Sequence, residues 1–397
     1  MTRRRLAGAA GFCRITTATT PNRCSMLRIA LLLVLLLPGL AHAQRPPVER
    51  PKSSDSVVER LPRGYSFLRP NATITPTASV ELAQVMLDTA VRTGDARLAE
   101  RANGLLESGF RKPIPPDVLK LLARAAQYRH DFDRAKTLLD QAISARPRDA
   151  HARLYRAQIS LIQGEIRRAR ADCAGLILGI DAATGELCLA AVNLRTGHLK
   201  DALKYTSGFL EGAAEDQPYM GYALAIRAQV ALRCRDPDAD YWFTRSSKFM
   251  PGDVHALAAS ARSLRAMGRP ALVRTMLAPA QEHDGLHLQA ALASMEAGGP
   301  DAENLKNAQS RRYRQARAAG LEPELRDEAE FHLLLMKDPA TALTIAQKNF
   351  ETQRDHEDVA ILSRAARAAG RQDVVTSLSA WQAAQGILGE PYQCSAR

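Results

Sequence analysis

A short turn recurs nine times along this chain, and it constrains the fold more than any other feature. It begins at Gly94, His130, Gly164, Gly197, Arg235, Gly268, Gly299, Lys337 and Gly370, at spacings of 36, 34, 33, 38, 33, 31, 38 and 33 residues. Self-similarity at such a period marks a stack of small units, each packed only on its neighbours. The segment LYRAQISL (154–161) returns as AIRAQVAL (225–232), 71 residues later and about two periods on. Unrelated helices would not keep that phase.

The clearest unit spans residues 121–149, LLARAAQYRHDFDRAKTLLDQAISARPRD. It reads as a first helix with small Ala123 and Ala126, a tight turn at His130 and Asp131, and a second helix with Ala135, Leu139 and Ala142. Pro147 ends it. Small residues recur in the first helices at Ala157, Ala190, Ala228 and Ala261, and in the second helices at Ala169 and Ala202. They allow two helices to cross closely, and a large side chain there would overpack the crossing at about 1–3 kcal/mol. Apolar residues are 46% of the chain but aromatics only 5%. Ala and Leu therefore do most of the filling, as in close-packed helices rather than a sheet.

This pattern of small residue, Gly-Asp-like turn, Ala, Leu, Ala and Pro resembles the tetratricopeptide-repeat family, whose period is 34 residues. His130 departs from it, standing where the family has Gly. The units near Arg235, Gly299 and Lys337 match poorly and are expected only as helical hairpins. The segments VVERLP (57–62) and TGDARLAERANGLL (93–106) are further similar to exported bacterial tetratricopeptide proteins. The resemblance covers residues 55–210 well and the rest loosely. It implies an all-α, right-handed solenoid of about eight to nine antiparallel helix pairs over residues 79–390, with a tail at 391–397. It also implies a non-catalytic role in binding or assembly.

In that family the first helix of each unit lines a concave groove. The corresponding positions here are Lys120, Arg124, Gln127 and Tyr128, then His151, Tyr155 and Gln158, then Asn193 and Arg195, then Tyr222 and Gln229, and then Arg262 and Arg265. Arg, Gln and Tyr together suit an extended peptide, because they offer hydrogen-bond donors and flat apolar faces. The expected partner is a protein or peptide.

Ahead of the repeats, residues 26–43 (MLRIALLLVLLLPGLAHA) carry a basic residue, a short apolar core and Ala41-His42-Ala43. These are the three parts of a secretory signal, predicting cleavage between Ala43 and Gln44 and a periplasmic or secreted protein. The apolar run is shorter than the roughly 20 residues of a membrane span, so no stable insertion is expected after cleavage. Residues 1–25 read as an extended n-region or a start placed upstream of Met26. Residues 44–78 hold Pro46, Pro47, Pro51, Pro62, Pro70 and Pro76 and read as an extended spacer.

Four cysteines follow the signal. Cys173 and Cys188 fall on adjacent helices of successive units, so a bridge between them is expected in an oxidising compartment. A Cys234–Cys394 bridge would join the middle of the array to its end, and the sequence leaves that pairing open. The cysteines lack zinc-site spacing. Metalloprotease, nucleophile-elbow, phosphate-loop and dinucleotide motifs are missing, so neither metal, cofactor nor catalysis is expected. The net charge of +12 includes six arginines in residues 1–43; without them 48 basic and 42 acidic residues remain. So small a surplus is no nucleic-acid footprint. The cluster RRYRQAR (311–317) places Arg311, Arg314 and Arg317 along one helical face, expected to be solvated. The composite expectation is an exported adaptor, or alternatively a structural component of an envelope assembly.

Overall fold

Among the described residues, eighteen helices follow one another as nine antiparallel pairs. The computed structural model describes residues 75–212, 214, 216–249, 252–278, 283–318, 320–388 and 394. The first pairs are α1 (Pro76–Thr93) with α2 (Ala96–Gly109), α3 (Pro116–Tyr128) with α4 (Phe132–Ala145), and α5 (Ala150–Ile162) with α6 (Ile166–Ile177). Next come α7 (Ala182–Thr196) with α8 (Leu199–Gly212), α9 (Met220–Arg233) with α10 (Ala239–Phe249), and α11 (Val254–Ala266) with α12 (Pro270–Leu277). The last are α13 (Asp284–Glu296) with α14 (Ala302–Ala318), α15 (Leu325–Leu334) with α16 (Pro339–Thr352), and α17 (His356–Ala368) with α18 (Gln372–Ala384). The signal, its cleavage site and almost all of the spacer lie outside the described residues. α1 begins at Pro76, inside the expected spacer, because proline is tolerated in a first helical turn and Thr75 Oγ1 accepts the Ala78 N–H at 3.3 Å.

All nine turns within pairs place a residue at positive φ, from 53° at Arg235 to 85° at Gly197. Eight fall where the sequence puts them; in the seventh, Gly298 takes the left-handed conformation and Gly299 follows it. The next N–H then reaches back to satisfy a helix-terminal carbonyl, as in Asp131 N–H to Ala126 O at 2.9 Å and Glu165 N–H to Ser160 O at 2.7 Å. His130, Arg235 and Lys337 hold this conformation with a side chain (φ 59°, 53° and 56°). That costs an L-residue roughly 1–2 kcal/mol. Lys337 is exposed, so Lys337→Gly is expected to stabilise the protein by about 1 kcal/mol, after allowing for glycine's extra unfolded-state freedom. A midpoint shift in urea denaturation checks it.

The core is a chain of overlapping Ala- and Leu-rich clusters. Ala123, Ala135, Ala157, Ala169, Ala190, Ala202, Ala228 and Ala261 are all buried, none more than 1% exposed. Cys173 on α6 and Cys188 on α7 are bridged, with Cα atoms 5.3 Å apart.

The array also meets itself. α1 packs on α11, and the segments following α16 and α18 reach the C-terminal ends of earlier first helices. Arg354 donates its N–H to Ile162 O at 2.7 Å, and Arg195 donates to Arg354 O. Trp381 covers Gly164 so closely that an added Cβ there would fall 2.7 Å from its ring. Leu388 N–H reaches Thr196 O at 2.9 Å. Beyond it, Cys394 is bridged to Cys234, 160 residues away, with Cα atoms 5.5 Å apart. The pairing left open by the sequence is therefore made, because the curving stack returns its last units to the turns of earlier ones.

Candidate partner-binding compartment

Helical spacing builds the first wall. On α3, Asp117, Lys120, Leu121, Arg124, Gln127 and Tyr128 follow i, i+3, i+4, i+7, i+10, i+11 and share one face. On α5, His151, Tyr155, Gln158 and Ile162 do the same. Both faces line one compartment of about 1870 Å³. Its opposite wall comes from the far end of the chain: Asp253 and His255 at the start of α11, His283 and Asp284 at the start of α13, Tyr313 on α14, residues 320–327, and Gln353.

The first wall is held in place by the units beside it. Lys120 Nζ lies 2.8 Å from Asp149 Oδ2 and 3.0 Å from Asp117 Oδ1. Burial alone would depress its pKa, but these carboxylates outweigh that and hold it above the ordinary lysine value. Arg124 Nη1 donates to Asp88 Oδ1 at 2.7 Å, leaving the rest of its fork available to a ligand. Tyr128 Oη donates to Ala90 O at 2.8 Å, and burial, followed by the Asp95 charge, pushes it up to about 12. His151 stacks on Tyr155 and on Tyr219, with centroids 6.1 and 6.5 Å away. Burial lowers its pKa and raises that of Tyr155, so both rings stay neutral near pH 7. The buried Tyr155 hydroxyl has no protein partner.

Where the walls meet, His130 Nε2 lies 3.4 Å from Glu324 Oε2. Gln353 Nε2 is 3.4 Å from His130 Nδ1 and donates to Glu324 Oε1 at 3.2 Å. His255 stands edge-on between Tyr128 and His283, at 5.8 and 5.7 Å. Among the described residues, no three His, Cys, Asp or Glu side chains are arranged to hold a metal ion.

Lys120, Arg124, Gln127, Tyr128, His151, Tyr155 and Gln158 thus come together on one wall. The remaining groove candidates do not join them. Asn193 and Arg195 are each only 7% exposed, and Arg195 is engaged with Arg354. Gln229 donates to Ser263 Oγ at 3.0 Å, between neighbouring helices. Arg262 and Arg265 are taken up by Asp327, Glu330 and Glu296. Two causes remove them: closure brings Arg354 onto Arg195, and packing between first helices of successive units takes up Gln229, Arg262 and Arg265. On α14, Arg311, Arg314 and Arg317 are all exposed, the solvated face that the sequence suggests, with Arg317 also pairing with buried Glu328; Arg312, on a different face, pairs with Asp284 at 2.7 Å. The sequence reading missed His255, His283, Glu324 and Gln353. Nothing in their local spacing marks them, because they face α3 across more than a hundred residues.

No family model and no curated protein matches the chain. Among solved structures it is similar to a tetratricopeptide repeat protein from Parabacteroides merdae ATCC 43184, at 14% identity over 72% of this chain and 98% of that one, with a TM-score of 0.37. It is also similar to the APC/C hetero-tetramer Cut9-Hcn1, at 12% identity over 78% and 81%, with a TM-score of 0.34. On its nine hairpins, their left-handed turns and their alanine crossings, the chain folds as an all-α, tetratricopeptide-like superhelix.

Proposed function

We propose that this protein is an exported, non-catalytic scaffold that holds a segment of a protein partner in the compartment enclosed by its superhelix. The observation that carries this reading is the compartment's size and lining. Its 1870 Å³ exceeds the roughly 300–1,000 Å³ of a small-molecule site. Its first wall offers an open guanidinium edge at Arg124, amides at Gln127 and Gln158, and the rings of Tyr128, His151 and Tyr155. Such groups meet peptide carbonyls and apolar side chains without demanding one sequence. Two disulfides point to an oxidising compartment. No described helix is long and apolar enough to cross a membrane. Together with the signal pattern of residues 26–43, these features support a mature chain that begins at Gln44 and works in the periplasm or outside the cell.

The test compares two faces of the same protein, using a partner isolated on the mature chain from an envelope extract. An Arg124→Ala/Tyr128→Ala variant is expected to lose about 2 kcal/mol of binding, roughly thirtyfold in Kd, as for a truncated interface anchor. An Arg311→Ala/Arg314→Ala variant is expected to bind within about twofold of the parent, because rim charges act mainly on association rate and salt dependence. Arg317 is left in place because it neutralises buried Glu328. Circular dichroism confirms folding of both. Retained affinity in the first variant, or loss in the second, places the partner outside the compartment.

A further inference from the structure

The two disulfides of this chain stand in opposite surroundings. Cys173 and Cys188 are 0% and 2% exposed, inside the stack and only 15 residues apart. Cys234 and Cys394 are half-buried and 160 residues apart. The first bridge staples neighbours that would pack in any case. The second joins the end of α9 to residues beyond α18, so it alone covalently closes the array. A thiolate must reach a sulfur along the S–S axis to exchange with it, and only the second bridge offers access from solvent.

We propose that Cys234–Cys394 is a redox-modifiable clasp: a dithiol reductant opens it selectively, and opening frees the C-terminal units from the turns that close the compartment. One thiolate of the reductant attacks a sulfur of the clasp, forming a mixed disulfide and releasing the other cysteine as a thiolate. The second thiol of the reductant then displaces the first cysteine. Two electrons and two protons pass to the protein, which ends with Cys234 and Cys394 as thiols, while the dithiol ends as a disulfide. This holds whatever occupies the compartment and does not rest on the proposed function.

Among the described residues, the contacts left behind are ordered along the chain. Leu388 N–H to Thr196 O is the next link inward, six residues from Cys394. Then come Trp381 over Gly164, Arg354 N–H to Ile162 O, and Gln353 beside His130. While the clasp is shut, each forms within one tethered body at high effective concentration. Once it is cut, the outermost has only the stiffness of α18 behind it. Opening therefore proceeds inward from Leu388 toward the rim at His130 and Glu324, while the contacts of α11 and α13 with the first units stay in place.

Hydrogen exchange on the mature chain from Gln44, which carries only these four cysteines, tests this at two amides, Leu388 and Arg354, in three samples. These are the oxidised parent, Cys394→Ser, and the parent treated briefly with dithiothreitol. Thiol counting by mass tag accompanies the treatment, and two labelled thiols, at Cys234 and Cys394, are expected before any appear at Cys173 or Cys188. Exchange at Leu388 is expected to rise at least tenfold in both opened samples, and at Arg354 by less. The amides of α3 and α4 should not change. The treated parent guards against a folding defect peculiar to the variant. Simultaneous reduction of both bridges overturns selectivity. Unchanged exchange at Leu388 with two thiols freed overturns the clasp, as does uniform acceleration that reaches α3.

Discussion

Replacing Arg326 with alanine is expected to cost the C-terminal four helices about 3–5 kcal/mol, the usual loss when one member of a buried ionic group is removed. The side chain leaves the first turn of α15 and is shared by three carboxylates of the α16–α17 junction. Nε lies 2.6 Å from Asp358 Oδ1, Nη1 3.0 Å from Glu357 Oε2, and Nη2 2.6 Å from Asp355 Oδ2. Asp355 and Asp358 also form the capping box that starts α17, and the Asp358 side chain is 0% exposed. Burial pushes Asp358 up to about 7, although Arg326 opposes it. Asp355, which burial would also raise, is instead held down at about 2 by Arg326 and the cap donors. Without the guanidinium, two acids sharing one cap must protonate or come apart. Arg326→Lys should recover only part of the loss, because an ammonium cannot present three donors in a planar fork. Urea denaturation of both variants measures the effect. Hydrogen exchange should confine it to α15–α18 and their neighbours, as nearest-neighbour packing requires. A loss below about 1 kcal/mol would mean that water replaces the arginine.

Acid is expected to remove about 3 kcal/mol of stability through one histidine, His283. Its ring lies where a Cβ on Gly94 would be, 2.1 Å from such an atom, so it fills the contact between α13 and the α1–α2 turn. Its Nδ1 accepts the Gly285 N–H at 3.2 Å and so caps α13, a role open only to the neutral ring. Burial first, and His255 beside it second, lower its pKa to about 4; Arg312 adds to this, and Asp284 and Glu324 oppose it. The folded state therefore binds fewer protons than the unfolded chain, whose histidine titrates near 6.5. The contribution is complete above pH 6.5 and is lost as pH falls through about 4. The drop of 6.5 to about 4 corresponds to about 3 kcal/mol at 1.36 kcal/mol per unit. Because Asp327 and Asp358 titrate in the same range with opposite sign, the measurement is a difference. The parent's stability relative to His283→Asn should decline by about 3 kcal/mol between pH 7 and pH 4. Parallel curves for the two proteins would show that the ring is charged, or hydrated, in the folded state.

What the chain's letters determined by themselves was everything that depends on near neighbours. The nine turns were legible because a left-handed residue ends a helix locally. Even His130, Arg235 and Lys337, which lack glycine's freedom, could be placed by period alone. The alanine crossings were legible because helices one unit apart meet at fixed registers. The Cys173–Cys188 bridge followed from the same short range, and so did the wall formed by α3 and α5, since helical spacing decides which side chains share a face. The closure was decided only by tertiary structure. It depends on a small rotation per unit summed over several units, and no single spacing encodes that sum. So Cys234 found Cys394 across 160 residues, Gln353 came to His130 across 223, and Arg195, readable as a groove residue, was spent on the backbone of Arg354.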